Sequence, residues 1–195
     1  MLFNQDATPA VSGAMAAAVG RRIRDLRQSR GVSLTALAVS TTLGKGTLSE
    51  LERGQRNPTL DTLFAIATAL EVPLSTLLAE GPPDTPARDA AHAHGQSIDA
   101  TLLDRWGDDA GVVEVYRMTI DQQTRESLPH APGVSETITL TGGAIEVGNS
   151  HASVRLEAPN SHSFAGDHPH VYRGIAPLSV AVLVMTYPRT DSSPG

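Results

Sequence analysis

Cysteine is absent from the 195 residues. The chain can therefore form no disulfide and offers no thiolate nucleophile or sulfur ligand, and any metal must sit on histidine and carboxylate side chains. Long apolar runs are missing too. No stretch approaches the roughly 18 residues a membrane-spanning helix needs, and no basic residue precedes the Ala-rich run ending at Ala18 as it would in a secretion signal. Neither a membrane span nor export is expected, and the chain reads as cytoplasmic. Aromatic residues make up only 4% of the composition, but hydrophobic residues at 40% and charged residues at 18% are ordinary for a globular protein, which excludes wholesale disorder and a fibrous class. The length admits one large domain or two small ones.

A net charge of −6 argues at first against a nucleic-acid partner, but the average conceals two regions of opposite sign. Between Val19 and Ala79 stand eight basic residues (Arg21, Arg22, Arg24, Arg27, Arg30, Lys45, Arg53 and Arg56) and five acidic ones (Asp25, Glu50, Glu52, Asp61 and Glu71), a net of +3 that leaves −9 for the rest. All seven histidines lie beyond that segment. Side chains suited to phosphate and side chains suited to metal are thus segregated, which implies two domains with two tasks.

Residues 1–14 are small and polar without periodicity and are expected to be a flexible tail, followed by a helical domain over 15–80. Val19, Ile23 and Leu26 recur at helical spacing through a run of arginines, with Gly31 as the stop. Ser33 caps a second helix burying Leu34, Leu37 and Ala38. A third runs from about Lys45 to Glu52 with Leu48 and Leu51 inside, closed by Gly54. Asn57-Pro58-Thr59 restarts the chain into a fourth helix burying Leu60, Leu63, Phe64, Ala67 and Leu70, and Pro73 opens a fifth with Leu74, Leu77 and Leu78.

An inert five-helix protein-interaction module would satisfy that pattern, and the solvent face of the third helix argues against it. Lys45, Gly46, Thr47, Ser49 and Glu50 offer donors, acceptors and a methyl without bulk, suited to a major groove roughly 12 Å wide. The segments Gly31-Val32-Ser33-Leu34-Thr35-Ala36-Leu37-Ala38, Leu48-Ser49-Glu50-Leu51-Glu52-Arg53-Gly54 and Asn57-Pro58-Thr59-Leu60 resemble the phage-repressor (XRE/Cro-C1) type helix-turn-helix family. The resemblance covers residues 19–79. It implies a helix-turn-helix unit at 34–53, whose third helix reads base edges from its N-terminal half.

On that reading Lys45 donates to guanine or to phosphate, Thr47 presents its methyl to thymine, Ser49 hydrogen-bonds, and Glu50 accepts from cytosine or rejects wrong sequences. Arg53 and Arg56 touch phosphates. The resemblance also pairs Glu52 with Arg27 as a structural contact. Two positions depart from the family pattern: Leu34 stands where a phosphate-clamping glutamine is frequent, and Thr42 where the turn usually has glycine.

From Gly81 to about His94 the chain is rich in Pro, Ala and Asp, and residues 81–105 are expected to be a linker in which His92 and His94 are solvated. Strand-like pieces follow after Trp106: Val112 to Ile120, Thr137 to Leu140, Ala144 to Val147, Ala152 to Leu156, Ser161 to Phe164 and Val180 to Tyr187. Many short strands at this spacing suggest an antiparallel barrel or jelly roll over 106–190. The fold class is thus an all-α five-helix DNA-binding bundle followed by an all-β barrel.

His130-Ala131-Pro132-Gly133-Val134-Ser135-Glu136, followed by Gly142-Gly143, and the segment Phe164 to Tyr172 resemble the two motifs of a cupin. Cupins hold a divalent metal on two histidines and a glutamate of the first motif and one histidine of the second, all on strands. The resemblance nominates His130, Glu136 and His170 as ligands for Zn²⁺, Fe²⁺ or Mn²⁺, with Pro132 in place of the fourth ligand, and Tyr172 either lines the pocket or packs in the core. The same polar groups equally suit an organic ligand in a metal-free pocket, and His162 and His168 read as turn residues.

Two functions of different class follow. One is a transcription regulator, a homodimer on palindromic duplex DNA, whose barrel binds a small effector and alters DNA affinity. The other is a non-haem iron enzyme, since one epoxidase of phosphonate antibiotic synthesis also joins a helix-turn-helix to a cupin. Pro132, where that enzyme type has a histidine, weighs against the second.

Overall fold

The computed structural model describes residues 9–78, 92–94 and 97–189, with side chains over 15–78 and 97–189. Among the described residues five helices precede ten strands: α1 (Pro9–Ser29), α2 (Leu34–Ser40), α3 (Lys45–Glu52), α4 (Leu60–Ala69) and α5 (Ser75–Leu78). Their boundaries follow local chemistry. Gly31 takes a left-handed φ of 66° after α1, as a residue without Cβ does readily. The Ser33 hydroxyl accepts from Ala36 N to cap α2, and the Thr59 hydroxyl accepts from Thr62 N to cap α4.

Val19, Ile23, Leu37, Leu48, Leu51, Leu60, Leu63, Ile66 and Leu74 are buried together. Helices α1 and α3 cross so closely that a Cβ on Gly20 would stand 2.1 Å from the Leu51 carbonyl oxygen. The expected tail was drawn too long. The helix begins at Pro9, whose fixed φ and missing N–H suit a first helical turn, and the Ala-rich run after it has high helix propensity. Residues 1–8 lie outside the described residues.

The second part is a sandwich of two wholly antiparallel sheets. One has the order β1 (His92–His94), β2 (Ile98–Asp108), β3 (Gly111–Asp121), β10 (Leu178–Pro188), β5 (Ser135–Gly142), β8 (Ser161–Ala165). The other is β4 (Thr124–Ser127), β9 (His170–Gly174), β6 (Ala144–Asn149), β7 (Val154–Glu157). Strand β10 is the spine, its alternate residues Ala181, Leu183 and Met185 buried between β3 and β5. Ile138, Leu140, Ile145 and Val147 complete an inner layer, giving the expected jelly-roll architecture.

The linker was also drawn too long at its C-terminal end. Residues 98–105, and 92–94 as the short edge strand β1, belong to the sheet. Ile98, Ala100 and Leu102 alternate inward, but a register shift between Leu102 and Asp104 leaves both Leu103 and Asp104 outward and turns Arg105 inward, which breaks the period-two pattern. The rest of the linker, residues 79–91 and 95–96, lies outside the described residues, as do the side chains of His92 and His94.

The two parts share one apolar core. Polar ties reinforce it: the backbone N of Ser75, the first residue of α5, donates to the buried Glu114 carboxyl group at 2.9 Å. Tyr116 donates to the other oxygen at 2.6 Å, and Arg105 to the Ser75 hydroxyl at 3.3 Å. Among the described residues no helix is long and apolar enough to cross a membrane.

Candidate functional site

Helix α3 turns one face into the bundle through Leu48, Leu51 and Glu52. The opposite face brings the nominated residues together: Lys45, Gly46 and Glu50 are exposed, Thr47 and Ser49 half-buried, and Arg53 and Arg56 exposed just beyond. Gly44 is the N-cap and supplies no side-chain bond, so the first amide groups of α3 stay available to a phosphate. Glu50 lies 3.7 Å from Arg56, both exposed, a weak pair in water that offsets the acidic charge on this face.

The helix is positioned by one strong contact. Arg27 of α1 grips Glu52 through Nε–Oε1 at 2.6 Å and Nη2–Oε2 at 2.8 Å, and its Nη1 donates to the Val32 carbonyl at 2.9 Å. The Glu52 hydrogen bond raises the Arg27 pKa against the opposing effect of burial. The pair is structural, as the resemblance implied. Thr42 holds the α2–α3 turn with φ at 56°, a left-handed conformation that a β-branched residue disfavours.

A second cluster lies inside the barrel. Glu136 on β5 faces His170 and Tyr172 on β9 across the gap between the sheets, and His130 enters from the loop between β4 and β5. His130 is therefore on a loop, not on a strand as expected. Its segment is stitched down by His130 N donating to the Gly166 carbonyl at 2.9 Å and Gly166 N donating to the Val134 carbonyl at 2.8 Å. All three candidate ligands are buried, and their ligand atoms fall within 4.8 Å of one another.

The donor set fits a divalent cation. Glu136 Oε1 is buried 2.8 Å from His130 Nε2 and 3.3 Å from His170 Nε2, yet neither contact has hydrogen-bond geometry. His170 Nδ1 donates to the His168 carbonyl at 2.9 Å, leaving the Nε2 lone pair turned inward, as in metal-ligating imidazoles. Two electron-pair donors facing each other in a buried site call for a cation between them. A Cβ on Gly166 would sit 3.0 Å from Glu136 Oε1 and crowd that space.

Burial on its own would raise the Glu136 pKa. The close His130 imidazole, the charge of His170 and the hydrogen bond from the Tyr172 hydroxyl outweigh it and hold the carboxyl below its ordinary value. Burial pushes His170 down, partly offset by Glu136, favouring the neutral ligand form. Tyr172 donates to Glu136 Oε2, and burial next to that carboxylate pushes its pKa well up.

Pro132 supplies no ligand and lines a different cavity. His168 is exposed and paired with Asp167 at 2.6 Å, and His162 stacks on Phe164. Sequence reasoning missed three groups at the barrel site. Phe64 of α4, counted there as bundle core, packs on the His130 ring at 4.8 Å between centroids. Arg125 on β4 lies over Phe64 at 5.4 Å and contacts Asp61 of α4 at 2.9 Å. Ser127, its inward neighbour on the same strand, lies opposite His170.

Comparison with known proteins bears on both parts of the chain. The helix-turn-helix family profile HTH_3 matches residues 23–77. The HTH-type transcriptional regulator SutR of Escherichia coli K12 is 30% identical over 151 residues, 77% of this chain and 84% of that protein. The crystal structure of an HTH_3 family transcriptional regulator from Vibrio cholerae superposes with a TM-score of 0.75 at 28% identity, over 91% of this chain and 99% of that one. A Cupin_2 domain of an XRE family transcriptional regulator from Enterobacter cloacae is similar at 25% identity over 48% of this chain and 100% of that one, with a TM-score of 0.44.

Proposed function

The chain belongs to the XRE-type (HTH_3) helix-turn-helix transcriptional regulators, and from that premise we propose that its C-terminal barrel is a cupin-type sensor and how the two sites divide the work. Lys45, Gly46, Thr47, Ser49 and Glu50 read bases in the major groove, with Arg53 and Arg56 on the flanking phosphates. The barrel holds a divalent metal on His130, Glu136 and His170, and an effector binds beside it, with Tyr172 in the pocket wall.

The observation that carries the first assignment is the solvent face of α3, small, polar and unobstructed, on a helix docked by the Arg27–Glu52 pair. The buried Glu136 Oε1, close to two imidazole nitrogens without a hydrogen bond, supports the second. The protein works in the cytoplasm as a homodimer on a palindromic operator, its half-sites about one helical turn, roughly 34 Å, apart. Leu103 and Trp106, about half exposed on β2, are apolar groups that a second barrel would cover.

The same three ligands would also suit a non-haem metal enzyme, but the relatives named above are regulators and Pro132 leaves the barrel one ligand short of the cupin set. Selection of duplex from a random pool, with and without Mn²⁺ and repeated with Lys45→Ala, tests the regulator reading. A palindrome enriched by the protein and lost by the variant supports it. No enriched motif at low salt in either metal state overturns it.

A further inference from the structure

The barrel pocket is roofed by the DNA-binding domain. Leu60 and Phe64 of α4 line it together with His130, Glu136, His170 and Arg125, and the free volume left is about 10 Å³, room for one water at most. No organic effector enters unless Phe64 withdraws, and Phe64 is held by what surrounds it: the His130 ring on one side and the Arg125 guanidinium above.

Arg125 is the unusual group. Its side chain is only 8% exposed, whereas that of its counter-ion Asp61 is 46% exposed and belongs to α4. Nε lies 2.9 Å from Asp61 Oδ1 without hydrogen-bond geometry and is buried with no other hydrogen-bond acceptor. A guanidinium so far removed from water, with a donor unsatisfied, is poised for a better acceptor. In the β4–β9 ladder Arg125 stands opposite Tyr172 and Ser127 opposite His170, so the guanidinium and the ligand cluster share one inward face.

We infer that the effector is a small organic carboxylate, which takes Arg125 from Asp61 and thereby releases α4 from the barrel. The inference rests on the effector-binding reading above and names its ligand class and its route to the DNA-binding domain. A carboxylate offers two acceptor oxygens to the paired N–H donors of a guanidinium fork, and Arg125 with the adjacent metal site would supply positive charge on both sides of it. Asp61 competes for the same group, so ligand binding and the interdomain contact exclude one another. That supplies the differential affinity of two states that regulation requires.

The test titrates pyruvate, succinate and glutamate calorimetrically into the full-length protein, metal-loaded and metal-free, with spermidine as the cationic control. Asp61→Asn and Arg125→Gln are examined beside the wild type, and thermal unfolding verifies that each is folded. At least one carboxylate binds the wild type, binds Asp61→Asn about tenfold more tightly because the competitor is gone, and loses at least tenfold in Arg125→Gln. The same carboxylate shifts wild-type affinity for the selected duplex and leaves that of Arg125→Gln unmoved. The inference is overturned if none of the three binds, if spermidine alone binds, or if either variant matches the wild type. Because duplex selection without ligand is a separate readout, a protein that selects a motif yet ignores carboxylates refutes the inference alone.

Discussion

Replacing Glu52 by Gln deletes a charge from a pair that is nearly shut off from water, with side chains 12% exposed for Arg27 and 8% for Glu52. The amide keeps the shape but leaves the guanidinium without its counter-charge, and breaking a buried pair from one side costs about 3–5 kcal/mol. Arg27 retains its bond to the Val32 carbonyl and some solvent contact, which places the loss near the lower end, about 3 kcal/mol. For a chain of this size whose two parts share one core, each kcal/mol is worth about 2–4 °C, so the melting temperature should fall by about 6–12 °C. Urea unfolding followed by far-UV circular dichroism reads the change directly. The double variant Arg27→Met/Glu52→Leu, which removes both charges and keeps the volume, should return to within about 1 kcal/mol of the wild type. A loss below about 1 kcal/mol in Glu52→Gln, or a double variant as weak as the single, refutes the claim that this pair docks α3.

Three further outcomes follow from the same structure. Thr42→Gly relieves a left-handed β-branched residue and should stabilise the helical domain by about 1 kcal/mol in the same urea assay, although the Thr42 hydroxyl bond to the Thr41 carbonyl is lost. Burial holds Glu114 above the ordinary carboxylate range against its Ser75 and Tyr116 hydrogen bonds. Its contribution to stability is therefore complete below about pH 4.3 and declines as pH rises through the folded-state value. Glu114→Gln should flatten that part of the stability–pH profile, and an unchanged slope contradicts it. Glu136→Gln should abolish stoichiometric Mn²⁺ or Zn²⁺ uptake in equilibrium dialysis while the protein stays folded, since the amide cannot supply the anionic ligand; uptake equal to wild type removes the metal assignment.

The helical half was legible because its signals are local. Ser33 and Thr59 cap the helices they precede, Gly31 and Gly54 adopt the left-handed φ that ends a helix, and Lys45–Glu52 is the third helix as read from the sequence. The barrel was legible where strands alternate apolar residues, as in β5 and β10. It was not where they do not: β4 reads Thr124-Arg125-Glu126-Ser127, wholly polar, and buries its arginine and serine only because Asp61, Phe64 and the ligand cluster receive them. Phe64 shows the same limit. Its spacing on α4 suits the bundle, but the face it occupies is covered by the other domain, and helical periodicity cannot say which partner covers a face. His130, Glu136 and His170 were nominated by the resemblance to the cupin motifs, whereas the convergence of their ligand atoms depends on sheet register and on the loop pinned by Gly166.

The central claim is that the solvent face of α3 distinguishes one DNA sequence from others. The measurement that tests it most directly is fluorescence anisotropy with the selected duplex and a scrambled duplex of equal length at 150 mM salt, for the wild type and Lys45→Ala. The account predicts that the wild type prefers the selected duplex by about a thousandfold or more, and that Lys45→Ala loses at least tenfold of that preference. Equal affinity of the wild type for both duplexes, or an undiminished preference in the variant, would contradict it.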